Sequence, residues 1–295
     1  MAAHNAETWI GEAIASCLAQ TTPPLEVIVV DDASNDRTTE IVREIGDERV
    51  RLEVLPENVG PGPARNVALE LARGDWLSMM DADDVMVPTR LEVLQTCAAE
   101  HPDLSIFSDF PSRKWDHADL QYSSSPRSER PEIEVISPAD LLRRNLGAKP
   151  FFSSDILQST GVRYPAFRAA QDTSFLVQLA SAAGLPIGFV RSKTYLYRDV
   201  PGSLSKRSEG MIDERLRMLD DLETKLIHDD DVIDAIAVAR RTFLDDRAMF
   251  RLKRAVDARS PRAVADSLSS SSTWRAAARR LAIKLRSKPR TDRPA

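Results

Sequence analysis

The chain has 295 residues, of which 42% are hydrophobic and 29% charged, and its formal net charge is −5 at pH 7. This composition is typical of a soluble globular protein and carries no overall nucleic-acid signature. No apolar stretch approaches the roughly 20 residues of a membrane span, and the first residues lack a signal-peptide pattern. Cys17 and Cys97 have no metal or redox spacing, so we expect buried, reduced thiols in a cytoplasmic protein.

The first hundred residues alternate helix-like and strand-like hydrophobic patterns. Helices are predicted over 7–20, 33–46, 62–74 and 88–101, and strands over 25–32, 49–55, 75–81 and 103–110. Repeated alternation on this scale predicts an α/β fold with a doubly wound, mostly parallel, Rossmann-like sheet. In such sheets ligands bind beyond the carboxyl ends of the strands.

The second half of the chain is less regular. Residues 111–131 are rich in Ser, Pro and Arg and predict a mobile loop. Beyond them we expect ordered structure over 138–145 and a helix over 171–184. The patterns then predict short strands over 186–192 and 194–198, a flexible loop over 199–208, and helical structure over 209–259.

Two acidic clusters follow predicted strands. Asp31 and Asp32 end one strand, while Asp81, Asp83 and Asp84 follow another. A single acid there would indicate a helix cap or a polar turn, but two clusters at one sheet edge raise each other's electrostatic cost. A hard divalent cation with oxygen ligands, such as Mg²⁺ or Mn²⁺, together with substrate phosphates, relieves that cost. We therefore predict a metal and phosphate site.

The motifs carrying these acids resemble the inverting family 2 glycosyltransferases of the GT-A fold. The resemblance lies in AAHNAETWIGEAIASCLAQTTPPLEVIVVDDASNDRTTEIV and ENVGPGPARNVALELARGDWLSMMDADD, and the family order continues from residue 2 to about 207. It implies a GT-A domain over 1–207, with a donor half over about 1–109 and an acceptor half over about 110–207. A helical C-terminal region over 208–295 would follow.

The resemblance also implies an activity. The enzyme would transfer a sugar from a nucleotide-diphosphate sugar to a hydroxyl of a glycan or lipid-linked glycan, in cell-surface polysaccharide synthesis. The positions that match donor-binding residues of the family are Ala3, His4, Asn5, Asp32, Arg65, Asp81 and Arg198. Asp81 and Asp83 match the DxD acids that hold Mg²⁺ or Mn²⁺, and Asp84 is a third ligand or a supporting group.

Asp172 matches the family's catalytic base, with Gln171 in place of the usual Glu. The alternative is that Asp172 only caps a helix. The loop after Arg198 matches one that closes over the diphosphate, where Lys206 and Arg207 would assist. Val200 stands where many members have His, so one metal or phosphate contact is expected to be missing.

The start of the chain departs from the family pattern. Members begin with a β-strand before the segment that matches Ala3–Asn5, and here Met1 leaves no residues for it. A missing central strand would leave buried backbone groups unpaired on both neighbours, at roughly 1–3 kcal/mol each. We therefore expect the first strand to be absent from this sequence and the native chain to start upstream.

The tail over 274–295 has eight basic residues against one acid, beside an apolar line at helical spacing. It predicts either a helix lying on an anionic membrane surface or a solvated terminal extension.

Three other functions fit parts of the pattern. An acid pair followed by Asp81 is also typical of a Mg²⁺-binding signalling receiver, although no Lys is found at the expected later strand. A nucleotidyltransferase shares the metal logic but usually carries a Gly-rich basic loop. A catalytically impaired donor-binding relative is the third alternative.

Overall fold

The computed structural model describes residues 1–113, 131–198, 208–258 and 260. Its first sheet has three parallel strands, each followed by a helix. In chain order these are β1 (Ala2–Ala3), α1 (Ile10–Leu18), β2 (Val27–Asp31), α2 (Thr38–Glu44), β3 (Val50–Val54) and α3 (Pro61–Leu71). This part matches the predicted parallel α/β alternation.

The second sheet has six strands in the order β4-β8-β6-β9-β5, with β7 also paired to β9. The strands are β4 (Trp76–Ser78), β5 (Val85–Met86), β6 (Ile106–Arg113), β7 (Ile133–Ile136), β8 (Pro150–Ser153) and β9 (Ile187–Tyr197). Only β6 and β9 pair in parallel, and the other pairings are antiparallel. The α/β class is thus confirmed, and among the described residues parallel pairing occurs in the first sheet, between β6 and β9, and at a bridge between Ala2 and Asp81.

Six helices complete the described structure. They are α4 (Arg90–Glu100), α5 (Pro138–Arg143), α6 (Ser154–Thr160), α7 (Gln171–Ala183), α8 (Glu209–Lys225) and α9 (Asp230–Asp257). Helices α8 and α9 share a hydrophobic core with α7, through Phe175, Leu179, Met218, Leu222 and Ile236. Within the described ranges, no helix is long and apolar enough to cross a membrane.

Two predicted features differ from the structure. The short strands predicted over 186–192 and 194–198 form one eleven-residue strand, β9, because β6 pairs with it along both parts. The loop predicted over 111–131 is wrong for its first three residues, which belong to β6. Residues 114–130, the segment 199–207 and the basic tail 274–295 lie outside the described residues.

The prediction that no residues remain for the first strand is wrong. Ala2 and Ala3 form β1 and pair with Val30 and Asp31 of β2, and the Val30 N–H donates to the Met1 carbonyl at 2.8 Å. On its other side Ala2 forms a parallel bridge with Asp81. These two residues pair with β2 on one side and with Asp81 on the other, so they connect the two sheets.

A buried ion pair joins strands of the second sheet to α4. Arg90 donates from Nε and Nη2 to the two carboxylate oxygens of Asp109 at 2.9 Å, and both side chains are fully buried. Arg90 also donates to Ser78 of β4, and Thr194 of β9 donates to Asp109. One ion pair thus joins α4, β4, β6 and β9.

We expect Arg90→Met to lower the free energy of unfolding by about 3–5 kcal/mol, because it leaves the buried Asp109 carboxylate without a counter-ion. Chemical denaturation measures this loss. Arg49→Met, which breaks a more exposed ion pair with Asp47, is the control and should cost about 0–1 kcal/mol. Similar losses in the two variants would contradict the assignment.

Candidate active site

Residues 81–84 after β4, which we call the acidic segment, lie where the first and second sheets meet. Asp81 bridges to Ala2, and one carboxylate oxygen from each of Asp81, Asp83 and Asp84 lies within 4.8 Å of the others. The segment therefore gathers three oxygen ligands at a strand end. This ligand set fits a hard divalent cation such as Mg²⁺ or Mn²⁺.

Asp84 is the most buried of the three acids. Tyr195 donates from its hydroxyl to Asp84 Oδ2 at 2.7 Å, and the backbone N–H of Arg198 donates to Oδ1 at 2.9 Å. Burial raises the pKa of Asp84 to about 7; the Lys149 charge opposes this shift, and the charges of Asp81 and Asp83 add to it. Burial and the Asp81 charge also raise the pKa of Asp83.

Asp81 is held by two cations in this structure. Arg65 Nη2 lies 2.5 Å from Asp81 Oδ1, and Lys149 Nζ pairs with Oδ2. Burial alone would raise the pKa of Asp81, but the charges of Lys149 and Arg65 outweigh it and hold that pKa well below its usual range. Asp81 therefore remains a carboxylate, while Asp83 forms no ion pair with the described cations.

Lys149, which the sequence analysis did not select, lies at the centre of the site. Its Nζ is 3.4 Å from Asp172 Oδ2 and 3.8 Å from Asp84 Oδ2, in addition to its contact with Asp81. Burial lowers the pKa of Lys149, but the three carboxylates raise it by more than burial lowers it. The pKa of Lys149 therefore lies above its usual value. The one sequence signal was a lone lysine directly before the apolar strand β8.

Asp172, the predicted base, lies beside this cluster, and its catalytic role stays a prediction. Tyr164 donates from its hydroxyl to Asp172 Oδ1 at 3.1 Å, and the Asp172 side chain is 16% exposed. The helix-cap alternative is wrong, because Ala170 is the N-cap of α7 and no side chain caps this helix. Asp172 instead lies in the first turn with its carboxylate turned toward Tyr164 and Lys149.

Gln171, which stands where the family usually has Glu, contacts Arg65. Its Oε1 accepts from Arg65 Nη1, and its Nε2 donates to the Phe167 carbonyl. Arg65 Nε is buried and has no hydrogen-bond partner within the described part of the chain. The amide of Gln171 thus binds Arg65 without adding a carboxylate to an already acidic site.

The residues predicted to line the nucleotide pocket come together beside β1 and β2. His4 Nδ1 lies 2.8 Å from the Asp32 carbonyl oxygen, and the Asp32 N–H donates to the Ala3 carbonyl at 2.7 Å. Asn5 and Ala33 both adopt left-handed backbone conformations just after these strands, with φ of 50° and 55°. The two chain segments therefore turn sharply at the same edge of the sheet.

Asp32 has its carboxylate engaged within the protein. It accepts from the backbone N–H groups of Val59 and Gly60, at 2.7 and 2.9 Å. Gly62 of α3 packs closely on another backbone segment, because a Cβ there would lie 1.9 Å from the Pro165 carbonyl oxygen. In this structure Asp32 therefore fixes the loop before α3, and its donor-binding role stays a prediction.

Arg198 connects the acidic segment to α1. Its Nε donates to the Asp83 carbonyl at 2.9 Å, its Nη2 lies 2.5 Å from Glu12 Oε2, and its guanidinium lies 4.5 Å from the centre of the Trp9 ring. Its predicted donor contact stays a prediction. Val200, Lys206 and Arg207 lie outside the described residues.

The fold is that of GT-A nucleotide-sugar transferases. Staphylococcus aureus TarS 1–349 in complex with UDP-GlcNAc superposes with a TM-score of 0.62 at 19% identity, covering 90% of this chain and 78% of that one. The mannosyltransferase PcManGT from Pyrobaculum calidifontis, in complex with GDP-Man and Mn²⁺, gives a TM-score of 0.58 at 21% identity, covering 93% and 80%.

The sequence profile of glycosyl transferase family 2 matches residues 1–154, just over half of the chain, so the protein belongs to this family. The succinoglycan biosynthesis protein ExoO of Rhizobium meliloti is 33% identical over 216 residues, which cover 70% of this chain and 61% of ExoO. The Escherichia coli glucosyltransferase WfgD is 38% identical over 93 residues, covering 32% and 37%. The matches thus span from about a third to three fifths of these relatives.

Family membership and topology contradict the receiver alternative. Lys149 does provide a cation beside Asp81, which the receiver interpretation lacked in the sequence. Receivers, however, have a doubly wound parallel sheet, whereas β4 and β8 pair antiparallel here. The nucleotidyltransferase alternative also fails, because the family match covers the segments that carry the acids.

We expect the stability of the metal-free protein to fall as the pH rises from about 4 to about 7. Between the ordinary pKa of an Asp, about 3.9, and the folded pKa of Asp84, about 7, the folded state holds a proton that the unfolded state releases. Asp84→Asn should remove this part of the decline. Thermal unfolding in EDTA measures it, with exposed Asp103→Asn as the control, and parallel curves for wild type and Asp84→Asn would refute it.

Proposed function

We propose that the protein is a metal-dependent inverting glycosyltransferase that moves a sugar from a nucleotide-diphosphate sugar to a hydroxyl of a glycan or lipid-linked glycan. The observation that carries the proposal is the convergence of Asp81, Asp84 and Asp172 on Lys149, with Asp83 beside them. The proposed ligands of a divalent cation and the Asp172 carboxylate therefore lie on either side of one side chain, that of Lys149. An inverting transfer needs one base and one means of neutralising the leaving group.

The names of relatives support the substrate classes. ExoO is a succinoglycan biosynthesis protein, and WfgD is described as a UDP-Glc transferase acting on a diphosphoundecaprenol-linked GlcNAc. The structural neighbours bind UDP-GlcNAc, or GDP-Man with Mn²⁺. We therefore propose a role in building a cell-surface polysaccharide, with Mg²⁺ or Mn²⁺ as the ion.

The proposal gives individual residues the following roles, which their contacts support. Asp81, Asp83 and Asp84 would hold the divalent cation, which when bound supplies positive charge opposite the donor diphosphate. Asp172 would accept the proton of the acceptor hydroxyl while that oxygen attacks the sugar from the face opposite the leaving group. Tyr164 fixes one oxygen of Asp172 by its hydrogen bond, and the unpartnered Arg65 Nε gives a donor for an anionic group.

We expect two variants to separate donor binding from turnover. Asp83→Ala removes a proposed metal ligand and should abolish metal-dependent binding of the donor. Asp172→Asn removes the proposed base, so it should keep donor binding and lose about 10²–10⁴-fold in kcat. Isothermal calorimetry with UDP-Glc, UDP-GlcNAc and GDP-Man, with and without Mn²⁺, measures binding, and product formation measures turnover.

The exposed Asp103→Ala serves as the control for both measurements. Full turnover in Asp172→Asn would remove the base assignment. Wild-type protein that binds a donor but transfers no sugar to any glycan acceptor would favour the impaired donor-binding relative. A folded sample without affinity for any nucleotide sugar would refute the proposed function.

We also propose that the tail over 274–295 holds the catalytic domain at the cytoplasmic face of a membrane, where lipid-linked acceptors are found. Its eight basic residues favour anionic lipid headgroups. Flotation with vesicles of phosphatidylglycerol should recover the full chain and lose the chain that ends at Thr273, while neutral vesicles should recover neither. Equal recovery of both chains would support the solvated extension instead.

A further inference from the structure

Lys149 is the described cation that contacts both the acidic segment and the proposed base. Its Nζ pairs with Asp81 and lies 3.4 Å from Asp172, and it sits 4.7 Å from the centre of the Tyr195 ring. The side chain is only 6% exposed. An ammonium so deeply buried is tolerated because carboxylates and an aromatic ring surround it.

The backbone of Lys149 is anchored independently of the acidic segment. Its N–H donates to Ser108 Oγ at 2.9 Å, and its carbonyl accepts from Arg90 Nη2 at 3.4 Å. Ser108 belongs to β6, and Lys149 directly precedes β8. The ammonium is therefore tethered to the second sheet, and only its side-chain torsions can withdraw it from the acids.

This tethered ammonium competes with a divalent cation for the same oxygens. Both oxygens of Asp81 are engaged, one by Arg65 and the other by Lys149. A divalent cation at Asp81, Asp83 and Asp84 would lie within a few ångströms of the ammonium, where like charges repel strongly at the low dielectric of a buried site. Additional negative charge is required before the cation can bind tightly.

We infer that Lys149 is a resident counter-ion that makes metal binding conditional on the donor diphosphate. This inference rests on the proposed function. Without donor, Lys149 neutralises Asp81 and opposes a bare divalent cation. The diphosphate supplies the negative charge that lets the cation and the ammonium share the site, and Lys149 then continues to position Asp172. Lys149 is in this sense a positioning residue that orders the binding of metal and donor.

The test measures Mn²⁺ affinity without any sugar transfer. Electron paramagnetic resonance of free Mn²⁺ gives the Kd for wild type and for Lys149→Met, each stripped with EDTA and measured without nucleotide. We expect Lys149→Met to bind Mn²⁺ at least about tenfold more tightly than wild type, because one repulsive charge is removed. UDP or GDP should then strengthen Mn²⁺ binding much less in the variant than in wild type.

Two control variants accompany the measurement. Lys193→Met makes the same change of net charge at an exposed position of β9 and should leave the Mn²⁺ affinity at the wild-type value. Lys149→Arg keeps the positive charge and should bind bare Mn²⁺ as weakly as wild type. Together they separate the local charge of Lys149 from general charge and from packing.

Equal or weaker Mn²⁺ binding by folded Lys149→Met would overturn the inference. If that variant fails to unfold cooperatively, the measurement on wild type decides. A wild-type Kd for Mn²⁺ that UDP and GDP leave unchanged overturns the inference. A Kd that UDP or GDP lowers about tenfold or more supports it. The proposed function fails by a different result, namely the absence of donor binding and sugar transfer in wild type.

Discussion

One buried ammonium links the acids of the site. Three carboxylates contact Lys149, and two of them, Asp81 and Asp172, lie far apart along the chain. Carboxylates this close would repel one another and drive up each other's pKa if no cation lay between them. The position of Lys149 therefore constrains how far apart the proposed metal ligands and the proposed base can lie.

The two-residue strand β1 connects the first sheet to the acidic segment. Ala2 and Ala3 pair with β2, and Ala2 also bridges to Asp81, so the first sheet and the acidic segment are joined by backbone contacts. His4 and Asn5 follow directly and turn toward Asp32. The segment expected to line the nucleotide pocket and the segment expected to hold metal are thus neighbours by backbone pairing rather than by side-chain contact.

The departures from the family pattern fit this charge balance. Gln171 replaces a Glu, and its amide still accepts from Arg65 while leaving the site with one carboxylate fewer. Arg65 and Lys149 then suffice to hold Asp81 ionised. The Asp32 carboxylate, by contrast, accepts hydrogen bonds from the backbone N–H groups of Val59 and Gly60. Aspartates at the two strand ends therefore have different partners, because the fold places different hydrogen-bond donors around each of them.

The sequence by itself determined the α/β class, the acids at the strand ends and the family, because hydrophobic periodicity and motif order are local properties of the chain. It did not reveal Lys149 or Tyr195, since each lies far along the chain from the acids of the segment after β4 that it contacts. Antiparallel pairing of β8 and the two-residue strand β1 were hidden for the same reason. Tyr164 lies only eight residues before Asp172, but no sequence motif marked it. Only tertiary structure decides which distant charges share a buried volume, and that shared burial sets the chemistry of the site.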